Sequence, residues 1–282
     1  MKEKITRNVI ITGGTSGIGK ACMEYFQSKG DNVIVLARKN PENLKNFYMC
    51  DVTDEQQVMQ TFATIGAKFP YIDVLINNAG YGISGAIELV DEKTSKDMFN
   101  VNFFGVINCY KYALPFMRKG GSIINLSSVC ALFALPFRGL YCASKSAVNM
   151  LTYSQRMECS PFGVNVSAVC PGDVKTNFTK NRVKNYETNE RYGDRIKNAA
   201  DSIDSKEDNR MEPIVVAKVV YKVSKKRNPK PYVIVGTKYK ILNFCMRFLP
   251  LSWLLNFTSK IFGGFKKPKI EEKFKEQENK KD

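Results

Sequence analysis

The chain has 282 residues, 44% of them hydrophobic, which is enough for one large core, and no second block of similar pattern argues for two domains. It contains no histidine, which excludes Ser-His-Asp and Cys-His nucleophilic catalysis and any histidine-ligated metal centre. Net charge is +16, but residues 222 to 282 hold 16 Lys+Arg against 5 Asp+Glu, so the basic character belongs mainly to the end of the chain, where no nucleic-acid motif accompanies it.

In chain order, residues 8 to 12 form a short apolar run bounded by glycines, residues 20 to 29 have helical spacing, and residues 32 to 37 are a β-branched run. The alternation predicts a strand at 47 to 50, a helix over 54 to 68, a strand at 73 to 76, a long helix from about 91 to 118 and a strand at 122 to 126. A helix over 139 to 160, a strand at 164 to 169, a helix over 212 to 226 and a last strand at 232 to 235 complete the set. Alternating elements of this kind predict an α/β fold, a doubly wound parallel sheet with helices on both faces.

Between residues 176 and 211 the pattern turns polar, with Phe178, Tyr186 and Tyr192 interspersed, and a lid over the site is expected because the segment follows the carboxyl end of a strand. Residues 237 to 265 are apolar and basic; Arg247, Pro250 and Lys260 interrupt them, so they make a poor membrane span. The segment is expected either to lie on an anionic membrane surface, to cap the pocket or to pack in a subunit interface. Residues 266 to 282 are almost all Lys, Glu, Gln and Asn, the composition of a disordered end.

Eight cysteines without any Cys-x-x-Cys pair indicate neither zinc nor a redox dithiol, and free thiols suit a reducing compartment. The first apolar stretch, Val9 to Ile11, is too short for a signal peptide or membrane span, so a cytoplasmic location is expected, with membrane contact only at the periphery.

Two local patterns carry chemistry. The turn Thr12-Gly13-Gly14-Thr15-Ser16-Gly17-Ile18-Gly19 lies between the first strand and first helix, where glycine lets the backbone approach a pyrophosphate and the helix amino end favours its charge. Some 20 residues on, where an NAD enzyme places a carboxylate for the ribose hydroxyls, the chain reads Leu36-Ala37-Arg38-Lys39. Arg38 offers a planar fork to a 2′-phosphate, so NADPH/NADP+ is favoured over NAD(H), the alternative being a solvated Arg38. Tyr141 and Lys145 stand four residues apart, thirteen after Ser128. On one helix face an ammonium can lower a phenol's pKa from about 10 toward the working range of an acid or base.

The glycine turn, Asn77-Asn78-Ala79-Gly80, Ser128, Tyr141-x-x-x-Lys145 and Pro171-Gly172 together resemble the short-chain dehydrogenases/reductases over residues 6 to about 236. The resemblance implies that Tyr141 is the acid/base, that Ser128 hydrogen-bonds the carbonyl oxygen, and that Lys145 holds the nicotinamide ribose and depresses the tyrosine pKa. Asn102 matches the position that steers a water toward the lysine. Ser127 neighbours Ser128, and only the spacing to Tyr141 separates them. Gly13, Thr15, Ser16, Gly17, Ile18 and Gly19 match the pyrophosphate turn, Asp51 and Val52 the adenine side, and Asn78, Ala79 and Gly80 the ribose side. Pro171, Gly172, Val174 and Thr176 match the nicotinamide segment. Asp51 could equally cap the following helix. Some NADP enzymes carry a basic residue where Ser16 stands here.

The expected pocket segments hold Val129, Cys130, Leu132, Phe133, Leu135, Pro136 and Phe137, which suggests an apolar ketone or secondary alcohol, with core or interface packing as the alternative. With the apolar, basic end, this is similar to relatives acting on steroids, retinoids or other lipids. A homodimer or homotetramer is expected by resemblance. The expected activity is NADP(H)-dependent ketone and alcohol interconversion; the alternative is a cofactor-binding sensor or scaffold without useful turnover.

Overall fold

The computed structural model describes residues 6–178, 182–185, 187–204 and 210–263. Tyr186 and the charged end expected from 266 to 282 lie outside the described residues. The chain opens with β1 (Asn8–Thr12), α1 (Gly17–Ser28), β2 (Asn32–Ala37), β3 (Phe47–Met49), α2 (Glu55–Lys68) and β4 (Ile72–Asn77). After the short β5 (Ile83–Ser84) come α3 (Glu92–Phe99), α4 (Gly105–Ala113), β6 (Met117–Leu126), α5 (Gly139–Cys159) and β7 (Asn165–Pro171). Then follow β8 (Val183–Lys184), α6 (Arg195–Asp204), α7 (Pro213–Ser224), β9 (Tyr232–Val235), α8 (Thr237–Cys245) and α9 (Leu251–Phe262).

Seven strands form one parallel sheet in the order β3-β2-β1-β4-β6-β7-β9, a single doubly wound domain as the alternation predicts. Successive side chains of a strand point to opposite faces, and both faces are buried here. Val9 and Ile11 pack with Val33, Val35, Ile76 and Phe26 beneath α1 and α7, whereas Ile10 and Ile34 pack with Phe62, Ile65 and Cys109 beneath α2 and α4. The first covering layer closes on aromatic edges: the Phe26 and Tyr221 rings meet at 5.1 Å, 75° apart, with Arg7 over both.

The long helix expected over 91 to 118 is broken. α3 passes through a π-helical turn, Asn100–Phe104, into α4, and a 3-10 turn at Leu114–Phe116 ends the run. Pro115 has no N–H to continue an α-helical ladder, and Met117 instead pairs with Ile72 as the start of β6. The strand therefore begins before its apolar run, with Gly120 at φ 90° and a register shift on β4 between Ile72 and Val74.

Past β9 come α8, which packs on that strand, and α9. Leu254 and Thr258, one turn apart, are buried on α9, which packs on α6, while Trp253 is 70% and Phe248 73% exposed. Among the described residues no helix is long and apolar enough to cross a membrane.

Phe26 tests how far the α1/α7 layer supports the sheet. It is fully buried, and Phe26→Ala should cost about 3–5 kcal/mol in urea denaturation with an unchanged denaturant slope. A loss below about 1 kcal/mol would show that this layer relaxes around the cavity.

Candidate active site

The strand order turns at the β1/β4 junction, where a crevice must open at the carboxyl ends. A cleft of about 1080 Å³ lies there. Every residue that the sequence reading placed in the catalytic or cofactor set lines it except Gly19 and Asn102.

One end of the cleft is set by the glycine turn. Gly13 and Gly17 hold φ of 65° and 54°, the left-handed backbone that glycine adopts without strain. Ser16 is the N-cap of α1 but makes no side-chain cap, and the first turn holds no acidic residue. The helix amino end thus faces the cleft with its partial positive charge unanswered by a side chain, which fits a pyrophosphate. Gly19 serves packing rather than contact with the cleft: a Cβ there would collide with the Gly13 carbonyl and the Asn78 amide.

The Asn78 amide nitrogen donates to the Thr12 and Gly13 carbonyls at 3.0 and 3.1 Å, and Thr12 Oγ1 accepts from the Asn78 and Ala79 backbone N–H, each at 3.0 Å. The Asn78 side chain is thereby committed to joining β1 to β4. Asp51 does not cap α2; Asp54 accepts from Gln57 N as its N-cap, while the Asp51 carboxylate takes the Thr53 N–H and hydroxyl at 3.0 and 2.8 Å.

At the other end α5 carries Tyr141 and Lys145, both buried. Ser128 Oγ accepts from Cys130 N at 3.1 Å and lies near enough to the Tyr141 phenol to pull its pKa down, whereas Ser127 donates to the Lys145 carbonyl at 3.2 Å. That geometry separates the two serines: Ser128 stands beside the phenol, and Ser127 holds the helix. Lys145 Nζ donates to the Leu126 carbonyl at 2.9 Å.

The expectation that Lys145 lowers the tyrosine pKa needs correction. Burial, and after it the neighbouring Cys130 sulfur, push the Tyr141 phenol above its ordinary value; the Ser128 hydrogen bond and the Arg138 charge pull it down, with no resolved contribution from Lys145. Burial likewise lowers Lys145, to about 8. Burial thus shifts both groups toward their neutral forms, though an amine with a pKa of about 8 still carries its proton at pH 7.

Asn102 sits in the π-helical turn, fully buried and behind the cleft. Its side chain accepts from Tyr81 N at 3.0 Å and donates to Tyr81 O and Ser144 Oγ at 2.9 and 3.1 Å. Ser144 in turn donates to Tyr141 O at 2.8 Å, so Asn102 fixes both the loop beyond β4 and the catalytic helix. Sequence reasoning missed this role for Ser144. It also missed the buried chain in which Asn125 accepts from Asn77 at 2.8 Å and donates to Thr152 and Gln155 at 2.9 and 3.0 Å. The signal was polar residues on the apolar face of α5, visible only once that face is known.

The substrate end also departs from expectation. Of the apolar residues expected there, Val129 and Cys130 line the cleft, whereas Leu132 and Phe133 pack toward Tyr232 and Tyr239, and Phe137 stacks edge-on against Tyr192 at 5.9 Å. The segment following β7 supplies Thr176, Phe178 and Arg182 instead, with the Phe178 ring 5.7 Å from Tyr141. No described residue of α8 or α9 lines the cleft, so neither helix caps it.

Residues 7–187 match the sequence pattern described as short chain dehydrogenase. A 3-ketodihydrosphingosine reductase of Bacteroides thetaiotaomicron is 38% identical over 240 residues, covering 83% of this chain and 89% of that protein. A probable short-chain type dehydrogenase/reductase of Helicobacter pylori is 34% identical over 256 residues, 86% of this chain and 93% of that protein. Among solved structures, a short-chain dehydrogenase from Streptomyces avermitilis superposes with a TM-score of 0.77 at 26% identity, covering 93% of this chain and 98% of the other.

The buried Lys145 gives a stability test. Because its folded pKa of about 8 lies below the ordinary 10.5, the unfolded chain binds the extra proton between those values, and stability rises with pH across that window. The gain should be on the order of 3 kcal/mol between pH 8 and 10.5 relative to Lys145→Met, read by urea denaturation of both proteins without cofactor. Parallel curves for the two proteins would mean that Lys145 is solvated.

Proposed function

The chain belongs to the short-chain dehydrogenases, oxidoreductases that act on alcohol and ketone groups with NAD(P), and on that premise we propose an NADP(H)-dependent enzyme interconverting a carbonyl and an alcohol on a largely apolar substrate. The bound cofactor supplies or accepts the hydride. Tyr141 gives its proton to the carbonyl oxygen, or takes it in reverse, and Ser128 holds that oxygen by hydrogen bonding. The observation that carries this reading is that Ser128, Tyr141 and Lys145 line one cleft together, with the uncapped amino end of α1 lining its other end.

Three features support the finer assignments. The raised phenol keeps its proton in the free enzyme, which suits a general acid. Lys145, held on the Leu126 carbonyl one turn beyond Tyr141, is placed to bind the nicotinamide ribose; a cofactor and its ordered water would restore the charge that burial disfavours. Arg38 and Lys39 line the cleft at the end of β2 with no carboxylate in that stretch, which favours a 2′-phosphate. Val129, Phe178 and Val183 supply apolar walls, and cleft-lining Thr176, Phe178, Arg182 and Arg210 support the reading of their segment as a lid.

Fluorescence titration should give tighter NADPH than NADH binding, and Arg38→Gln should weaken NADPH by roughly 10- to 100-fold while sparing NADH. Equal affinity for both would reject the Arg38 assignment. Tyr141→Phe should abolish turnover of bulky apolar ketones yet leave NADPH affinity within about twofold, since the loss falls on the transition state. Turnover that survives Tyr141→Phe would remove the proton-transfer assignment.

The same reading extends to lipid contact. The stretch through α8 and α9 exposes Ile241, Phe248, Leu251 and Trp253 beside Lys240, Arg247 and Lys260, and residues 237 to 263 contain no acidic side chain. Peripheral binding to an anionic bilayer follows. Trp253 is the chain's one tryptophan, so its emission should shift to the blue on anionic but not zwitterionic vesicles, and Leu251→Asp with Phe248→Asp should cancel the shift. An unshifted spectrum with anionic vesicles would exclude docking through this stretch.

A further inference from the structure

The substrate end of the cleft holds a cation that the proposed hydride and proton transfers do not use. Arg138 directly precedes α5, three residues before Tyr141, and lines the cleft although it is only 8% exposed. Its Nε and Nη2 are shielded from solvent and meet no hydrogen-bond acceptor among the described residues. A guanidinium stays charged at any working pH, and burying it is unfavourable unless acceptors answer its donors.

The backbone is shaped to keep the side chain there. Phe137 adopts φ 57°, a conformation that disfavours an aromatic residue, and its carbonyl accepts from Gly85 N at 2.9 Å. The Phe137 ring lies between Tyr192 and the Arg195 guanidinium. Strain held in place by contacts on several sides, next to a buried arginine with open donors, is the pattern of a ligand site rather than of a packing accident.

Arg138 has buried company. Arg182 and Arg210, 6% and 9% exposed, line the same cleft from the lid segment. Asp173, which also lines the cleft, already accepts from Tyr239 and lies 3.7 Å from Lys238. Arg138 itself stands beside the tyrosine, since positions three apart at the start of a helix are neighbours.

We propose that Arg138 is the recognition residue of an anion subsite, and that the substrate carries a carboxylate, sulfonate or phosphate group close to its reacting carbon. The planar fork of Arg138 matches the paired oxygens of these groups. An ammonium at the same place would meet a like charge and be rejected. The proposal deepens the reading of Tyr141 as the proton donor, because it places the anion next to that residue. It makes the substrate an amphiphile, with an apolar body along Val129 and Phe178 and an acidic group on Arg138.

The test needs no turnover. Calorimetry on the cofactor-saturated protein compares hexanoate, hexanesulfonate and hexyl phosphate with hexan-1-ol, for the native chain, Arg138→Gln and Arg138→Lys. At least one anion should bind about 10- to 100-fold more tightly than the alcohol. Arg138→Gln should erase that difference, and Arg138→Lys should keep part of it, since the charge remains but the fork is lost. The strongest of the three anions identifies the group. Cofactor affinity unchanged in Arg138→Gln shows that the variant is folded. Equal binding of anions and alcohol, a preference that survives Arg138→Gln, or no binding of any probe would each overturn the subsite. Failure to reduce neutral ketones would count against the apolar-substrate reading and leave this comparison untouched.

Discussion

The arrangement depends on a four-bond latch at the point where the sheet reverses direction. Thr12 and Asn78 end adjacent strands, β1 and β4, that run parallel and then diverge to opposite faces. Parallel strands that part in this way leave a gap in the backbone ladder, and polar groups in the gap must be answered. Thr12 Oγ1 accepts from two backbone N–H groups beyond β4, and the Asn78 amide answers the last carbonyl of β1 and the one after it. The glycine turn is thereby fixed against the start of the loop that runs to Tyr81, and Asn102 carries the connection onward through Ser144 to α5. A continuous hydrogen-bonded path thus joins the two ends of the cleft.

α5 bears the cost of this design and repays it with position. It brings a phenol and an amine into a buried setting that shifts both toward their neutral forms. The polar chain Asn77, Asn125, Thr152 and Gln155 seats the same helix on the sheet, each bond specifying rotation about the helix axis in a way that apolar contacts alone do not. Tyr141 is held from several directions: Ser128 on its side chain, Phe178 on its ring and Ser144 on its carbonyl. Groups held in this way need little reorganisation during proton transfer.

The two ends of the cleft differ in how they are built. The cofactor end uses backbone: left-handed glycines and a helix amino end, whose geometry depends little on side-chain identity. The substrate end uses side chains drawn from the loop before α5 and from the segment after β7, so its polarity is free to vary on a constant frame. Here that freedom has produced buried arginines among apolar walls. α9 contributes nothing to this cleft, yet it rests on α6 in the segment proposed as a lid, so the proposed lipid contact and substrate entry would act on neighbouring pieces of the chain.

The sequence by itself determined the elements whose signal is local. Alternating apolar runs marked the strands, glycines at fixed offsets marked the turn, and the i, i+4 spacing put Tyr141 and Lys145 on one helix face. Covalent constraints and short-range periodicity suffice for these. Tertiary structure alone decided whatever depends on which surfaces meet. Ser128 was separated from Ser127 by which of them faces the phenol, and Asn78 and Gly19 proved to hold the turn together. The direction of the tyrosine shift was decided by burial, which no spacing rule reports, and the end of α4 by Pro115 together with the pairing of Met117 to Ile72. Arg138 escaped notice for the same reason: in the sequence it is one more cation before a helix, and only the fold removes it from water and turns it toward the cleft.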